Sequence, residues 1–185
     1  MMSTRIHLLK RLYVGLAALV MLGIGAMPLF GGGAAYGQIR ETKAIAAFPD
    51  GHHQICSKPD PMDWRDGAGV CFNFIKTGRQ IEGYYGYPHS DRFVCLRGTI
   101  DQNLWQGEGL TFSWSGESWS KSLPSDFRWD TEKRLRLRDG RIVRSTGQGS
   151  ERIEWIRFRR ASLDIKNFYR YRSPRMTAIA DLCHW

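Results

Sequence analysis

Within 185 residues, 42% of them hydrophobic, there is room for one domain with a real core. Lysine and arginine outnumber the acids 27 to 18, a net charge of +9, and the excess is local: residues 128–175 hold 15 basic and 6 acidic side chains. Such a basic half ordinarily points to nucleic acid, but the N-terminus argues against that partner and for an anionic polymer or lipid headgroup outside the cytoplasm.

The N-terminus carries Arg5, Lys10 and Arg11 and no acid before Glu41. An apolar run follows from Val14 to Phe30, and Ala35 and Gly37 then occupy the −3 and −1 positions of a small-residue cleavage site before Gln38. This three-part pattern predicts a signal peptide over residues 1–37 and a secreted or periplasmic mature chain starting at Gln38. The alternative is an uncleaved N-terminal helix that anchors the chain. The run of about 17 residues sits at the lower limit of the ~17–25 that cross a bilayer, and Pro28 weakens its end. Cleavage is the preferred reading, and it leaves no stable membrane span.

Residues 38–185 then form one folded unit. Residues 38–68 read as an N-terminal segment and loop, with a short helix over 39–47. From 69 onward the pattern is mainly β. Val70, Phe72 and Phe74 alternate with Cys71, Asn73 and Ile75, residues 76–79 make a turn, and Ile81, Gly83, Tyr85 and Tyr87 follow on alternate positions. A third strand spans 92–100, and 104–114 holds one or two more. Ser115 to Asp126 reads as a long loop. Leu135 and Leu137 alternate with arginines, Asp139-Gly140 signals a two-residue hairpin, 146–150 turns, and 152–163 is a further strand. A short helix is expected over 175–183. Glycines inside the strands suggest bulges. The expected fold is an antiparallel meander over 69–185, closing into a small barrel or a strongly bent sheet. It resembles lipocalin-like barrels in architecture only, which implies no function.

Four cysteines, Cys56, Cys71, Cys95 and Cys183, lie beyond the signal. Export turns them into disulfides. Cys71 and Cys95 fall on strands with another strand between them, roughly 9.5 Å apart and beyond bridging reach. Either Cys56–Cys71 with Cys95–Cys183, or Cys56–Cys95 with Cys71–Cys183, remains. The first is preferred, because the 56–71 loop is short and rich in turn formers.

No catalytic constellation, metal site or cofactor motif stands out. His52, His53 and Cys56 are possible ligands, but adjacent histidines on an extended chain point to opposite sides, and Cys56 is expected in a disulfide. Asp60, Asp63 and Asp66 are spaced by three, unlike a calcium loop, and read as an acidic turn. His89-Ser90-Asp91 cannot converge as a triad because the residues are consecutive. Glu82 and Glu108 would make a glycosidase pair only by chance of position.

The arginines are more informative. A hairpin at Asp139-Gly140 places Arg138 opposite Arg141, with Arg136 on the same side, and Arg157 and Arg159 extend the patch from the next strand. Opposed like charges cost stability, so an anion is expected there, supplied by Glu132, Asp139 or Glu154 or from outside. Tyr85, Tyr87 and Trp105 are the aromatic candidates, as a sugar platform if exposed or as core if inward; alternation favours inward for the tyrosines. The expectation is a non-enzymatic exported binding protein for an anionic polymer or glycan. The first alternative is a lipocalin-like carrier of a small apolar ligand. The second is a hydrolase built on His89, Glu82 or Asp91.

Overall fold

A computed structural model describes residues 43–63, 67–114, 117, 123 and 125–185. The expected signal segment, 1–37, lies outside the described residues, as do Asp66 and most of the loop expected over 115–126. The strands are β1 (Gly51–Cys56), β2 (Cys71–Thr77), β3 (Gln80–Gly86), β4 (Phe93–Asp101), β5 (Leu104–Trp114), β6 (Asp126–Arg128), β7 (Leu135–Thr146), β8 (Ile153–Asp164) and β9 (Tyr169–Arg170). They form one antiparallel sheet in the order β6-β7-β8-β5-β4-β3-β2-β1-β9. The run β1 to β5 is a plain meander, and β2 to β5 fall where period-two alternation and turn residues placed them. After β5 the meander breaks: β6 starts at the far edge and β7 and β8 return to β5, a Greek-key step.

One face of the sheet is the core. Ile55, Phe72, Phe74, Ile81, Tyr85, Val94, Leu96, Ile100, Trp105, Leu135, Leu137, Ile156, Phe158 and Leu163 are all buried in one cluster, drawn from seven of the nine strands. The sheet must curl to achieve this. Tyr85 on β3 and Trp129, just after β6, have ring centroids 5.7 Å apart, although five strand spacings, about 24 Å on a flat sheet, separate β3 from β6. Arg134, just before β7, likewise reaches the loop before β9, donating to Lys166 O at 2.9 Å and lying over the Phe168 ring. No ladder joins the two edges, so the expected barrel does not close among the described residues. The edge strands are three and two residues long. Trp105, Tyr85, Phe72, Phe74 and Phe158 are each fully buried in this core.

The other face is covered over β1 to β5 by the C-terminal segment, held as a strap. Gln54 Oε1 accepts from the backbone N–H groups of Arg175 (2.6 Å) and Met176 (3.2 Å), while Thr177 O accepts from Asn73 Nδ2 (3.0 Å) and Tyr84 Oη (2.8 Å). These bonds explain how Gln54 and Asn73 can be wholly buried polar residues. Disulfides join Cys56 to Cys71 and Cys95 to Cys183, the preferred pairs, and the second one fastens the strap. Two disulfides are compatible with an extracellular or periplasmic location. The helix expected over 175–183 is a single turn, α1 (Ile179–Leu182), and of 39–47 only Ile45–Ala47 forms a 3-10 turn among the described residues. No helix among the described residues is long and apolar enough to cross a membrane.

The segment read as loop before residue 69 contains β1, which turns its two histidines to opposite faces. His52 bonds Asn73 Oδ1 at 2.7 Å. His53 is buried between the rings of Phe48 and Phe74. Its Nε2 carries the proton, because Pro49 O at 2.9 Å can only accept, so Nδ1 accepts from Arg170 at 3.3 Å. Burial first, then the charges of Arg170, His52 and Lys76, push its pKa below the ordinary histidine value against the opposing Pro49 bond. The folded state therefore binds this proton less well than the unfolded chain. Its contribution is full above about pH 6.5 and is lost as pH falls below that value. Thermal unfolding between about pH 7 and 5 should show a drop in Tm that is smaller in His53→Gln. Equal drops would assign the acid sensitivity to carboxylates alone.

Candidate functional site

β7 and β8 form a hairpin whose outward side carries the basic residues. Leu135 and Leu137 enter the core, so Arg136 and Arg138 point away from it. On β8 the inward residues are Ile156 and Phe158, then Ala161 and Leu163, with the alternation broken between 158 and 161. Gly107 pairs with Ala161 and Gly109 with Phe158, so Arg159 and Arg160 together oppose Glu108. This β-bulge turns both arginines to solvent.

β7 matches the bulge at the site read as a hairpin turn. Residues 135–146 are one continuous strand, and Asp139, at φ 56°, falls between the pairs Arg138↔Arg160 and Gly140↔Phe158. Gly140 is needed for close approach, since a Cβ there would stand 2.6 Å from the Phe158 ring. Arg138 therefore faces Arg160 rather than Arg141, and Arg141 faces Arg157.

Like charges are directly opposed in both pairs, and each is answered from one side only. Arg160 binds Asp139, Arg136 binds Asp126, and Arg157 donates to Glu108 Oε2 at 2.6 Å. Arg97, on β4, donates to the same oxygen at 3.0 Å. Arg138, Arg141 and Arg159 form no ion pair among the described residues. The internal carboxylates thus neutralise one member of each opposed pair and leave a row of three guanidinium groups.

The hydrogen bonds from Arg157 and Arg97 hold Glu108 below the usual carboxylate range, against the opposing effect of burial. Glu108 is an ion-pair acceptor, not a proton donor at neutral pH. Glu82 is exposed two strands away. Glu82, Arg97 and Glu108 line one pocket between the sheet and the C-terminal segment, with Arg97 between the two carboxylates in register. His89 lies in a turn at φ 53°, and Ser90 Oγ accepts from Arg92 N.

The aromatic candidates lie apart from the arginines. Tyr85 and Trp105 are buried on the opposite side of the sheet, and half-buried Tyr87 packs with Trp129 at 5.9 Å. The aromatics that do lie beside the arginines are Trp155, under the Arg144 guanidinium at 3.7 Å, and Trp185, under that of Arg97 at 4.3 Å. Trp155 was legible, since it stands two residues before Arg157 and so shares its face. Trp185 was not, because only the folded strap brings it to β4. Compared with protein-family models, with curated proteins and with solved structures, the chain matches none.

Proposed function

We propose that this chain is an exported, non-enzymatic β domain that binds an anionic polymer or glycan through the outward arginine face of β7 and β8. The carrying observation is the unequal neutralisation of that face. Arg136, Arg157 and Arg160 have carboxylate partners, while Arg138, Arg141 and Arg159, held on the same rigid hairpin, have none among the described residues. Guanidinium groups fixed in a row recognise spaced anionic groups at little entropic cost, because the sheet has already ordered them. A core in which Trp105, Tyr85, Phe72, Phe74 and Phe158 are fully buried favours this reading over an apolar-ligand carrier.

The test is retention of the purified chain on immobilised polyphosphate and dextran sulfate over a salt gradient. At about 0.5 kcal/mol per exposed contact, Arg138→Gln, Arg141→Gln and Arg159→Gln combined should weaken binding about tenfold and flatten its salt dependence. Arg136→Gln, already neutralised, should change it far less. Equal retention of the triple variant and the parent would remove the arginine row from the function.

A further inference from the structure

Where the strap meets β5, β7 and β8, a pocket of about 280 Å³ opens on the arginine side of the sheet, lined by Trp155, Trp185, Arg144, Arg157, His184 and neighbouring apolar groups. We infer that this pocket is a subsite for one carboxylate-bearing sugar unit of an acidic polysaccharide, an inference that rests on the arginine-face reading above. Its volume falls just below the usual range of ligand pockets, roughly 300–1,000 Å³, and suits a single ring. Its walls combine the two chemistries that such a unit needs.

The first is an apolar plane. Trp185 lines the pocket and supplies this plane, with the Arg97 guanidinium over one side of its ring, while Trp155 beside it is the platform for Arg144. Indole faces are suited to the C–H side of a sugar ring, which is flat and weakly positive. Trp185 remains 37% exposed, so its ring is reachable from solvent.

The second is a planar fork for the carboxylate. The Arg144 guanidinium carbon lies 3.7 Å over the Trp155 ring centroid, and Arg144 forms no ion pair among the described residues. A guanidinium held over an indole keeps N–H donors around its edge, where a carboxylate accepts two of them together. The contact also fixes the fork, so less rotamer freedom is lost on binding. An irregularity in β7 places the group: the register shifts between Ile142 and Arg144, so Arg144 pairs with Trp155 and Val143 is left as the extra residue. Arg141 faces Arg157, itself a wall of the pocket, and starts the row of uncompensated arginines. Further acidic units of one chain would follow that row.

The experiment is titration of the purified chain with a galacturonic acid trimer, its methyl ester and inorganic polyphosphate, read by tryptophan fluorescence. Expected is a fluorescence change with the acid trimer and binding of the neutral ester about tenfold weaker or worse. Arg144→Gln, an exposed substitution that leaves the core untouched, should lose about tenfold for the trimer while keeping polyphosphate binding. Trp185→Ala should do the same. Trimer binding unaltered by either variant, or polyphosphate binding with no trimer binding, would overturn the subsite and leave the arginine face standing. Binding of neither anion would overturn both.

Discussion

Replacing Cys95 and Cys183 together by alanine should lower the unfolding free energy by about 4–5 kcal/mol, the chain-entropy value for a bridge of this span. The half-cystines are 88 residues apart in sequence, and the bridge is the covalent anchor of the strap. Replacing Cys56 and Cys71 should cost less, about 3 kcal/mol at most, because 15 residues separate them. They also sit directly opposite each other on β1 and β2, where the ladder already holds the strands together. The two double variants should differ in kind as well as size. Without Cys95–Cys183 the strap keeps hydrogen bonds from Gln54, Asn73 and Tyr84, the Arg175–Asp60 ion pair, the Arg97–Trp185 contact and the apolar packing of Ile179 with Leu110 and Tyr84. Each such bond is worth about 1 kcal/mol net, and water can replace it once the segment lifts. Amide exchange over residues 175–183 should therefore rise to the local-unfolding limit in that variant while β2 to β4 stay protected. Urea midpoints and exchange maps would decide it. A strap still protected without its disulfide would show that the noncovalent contacts suffice.

The strap also explains what the amino-acid order leaves hidden. β2 to β5 were legible because one side of each strand alternates cleanly and turns punctuate them. β1 was not, since His53 and Gln54 are polar residues made buried by partners from positions 170 to 176, more than a hundred residues away. β6 and β9 are too short to show a period at all. At Asp139-Gly140 the local signal was strong and the reading wrong: a left-handed residue followed by glycine fits a tight hairpin and a bulge equally well. Only the extra residue in β8 decides between them. β7 and β8 still lie side by side, with Arg160 in place of Arg141 opposite Arg138. The pocket beside it depends on Trp185 reaching Arg97, a contact set by the Cys95–Cys183 bridge rather than by any local pattern.

Trp105→Ala should destabilise the domain by about 3–5 kcal/mol, the range for emptying a buried aromatic site. Trp105 is fully buried on β5, pairs across the sheet with Ile100 and Leu163, and packs edge-on against Phe72 from β2. Its ring lies where a Cβ on Gly107 would stand, 2.8 Å from Cζ2, so the glycine and the indole are a matched pair. The indole Nε1–H has no acceptor among the described residues. Trp105→Phe should therefore cost much less than alanine, since volume is mostly kept and no hydrogen bond is lost. Denaturant midpoints for the alanine and phenylalanine variants, with m-values to check that the transition stays two-state, measure both effects. The result bears on function because the interior is the space a carrier would need. A filled interior makes Trp105→Ala create a cavity, with the full cost and a newly acquired affinity for small apolar probes. A cost below about 1 kcal/mol would mean that the indole already borders free space, and the carrier would then displace the arginine face as the better account of this fold.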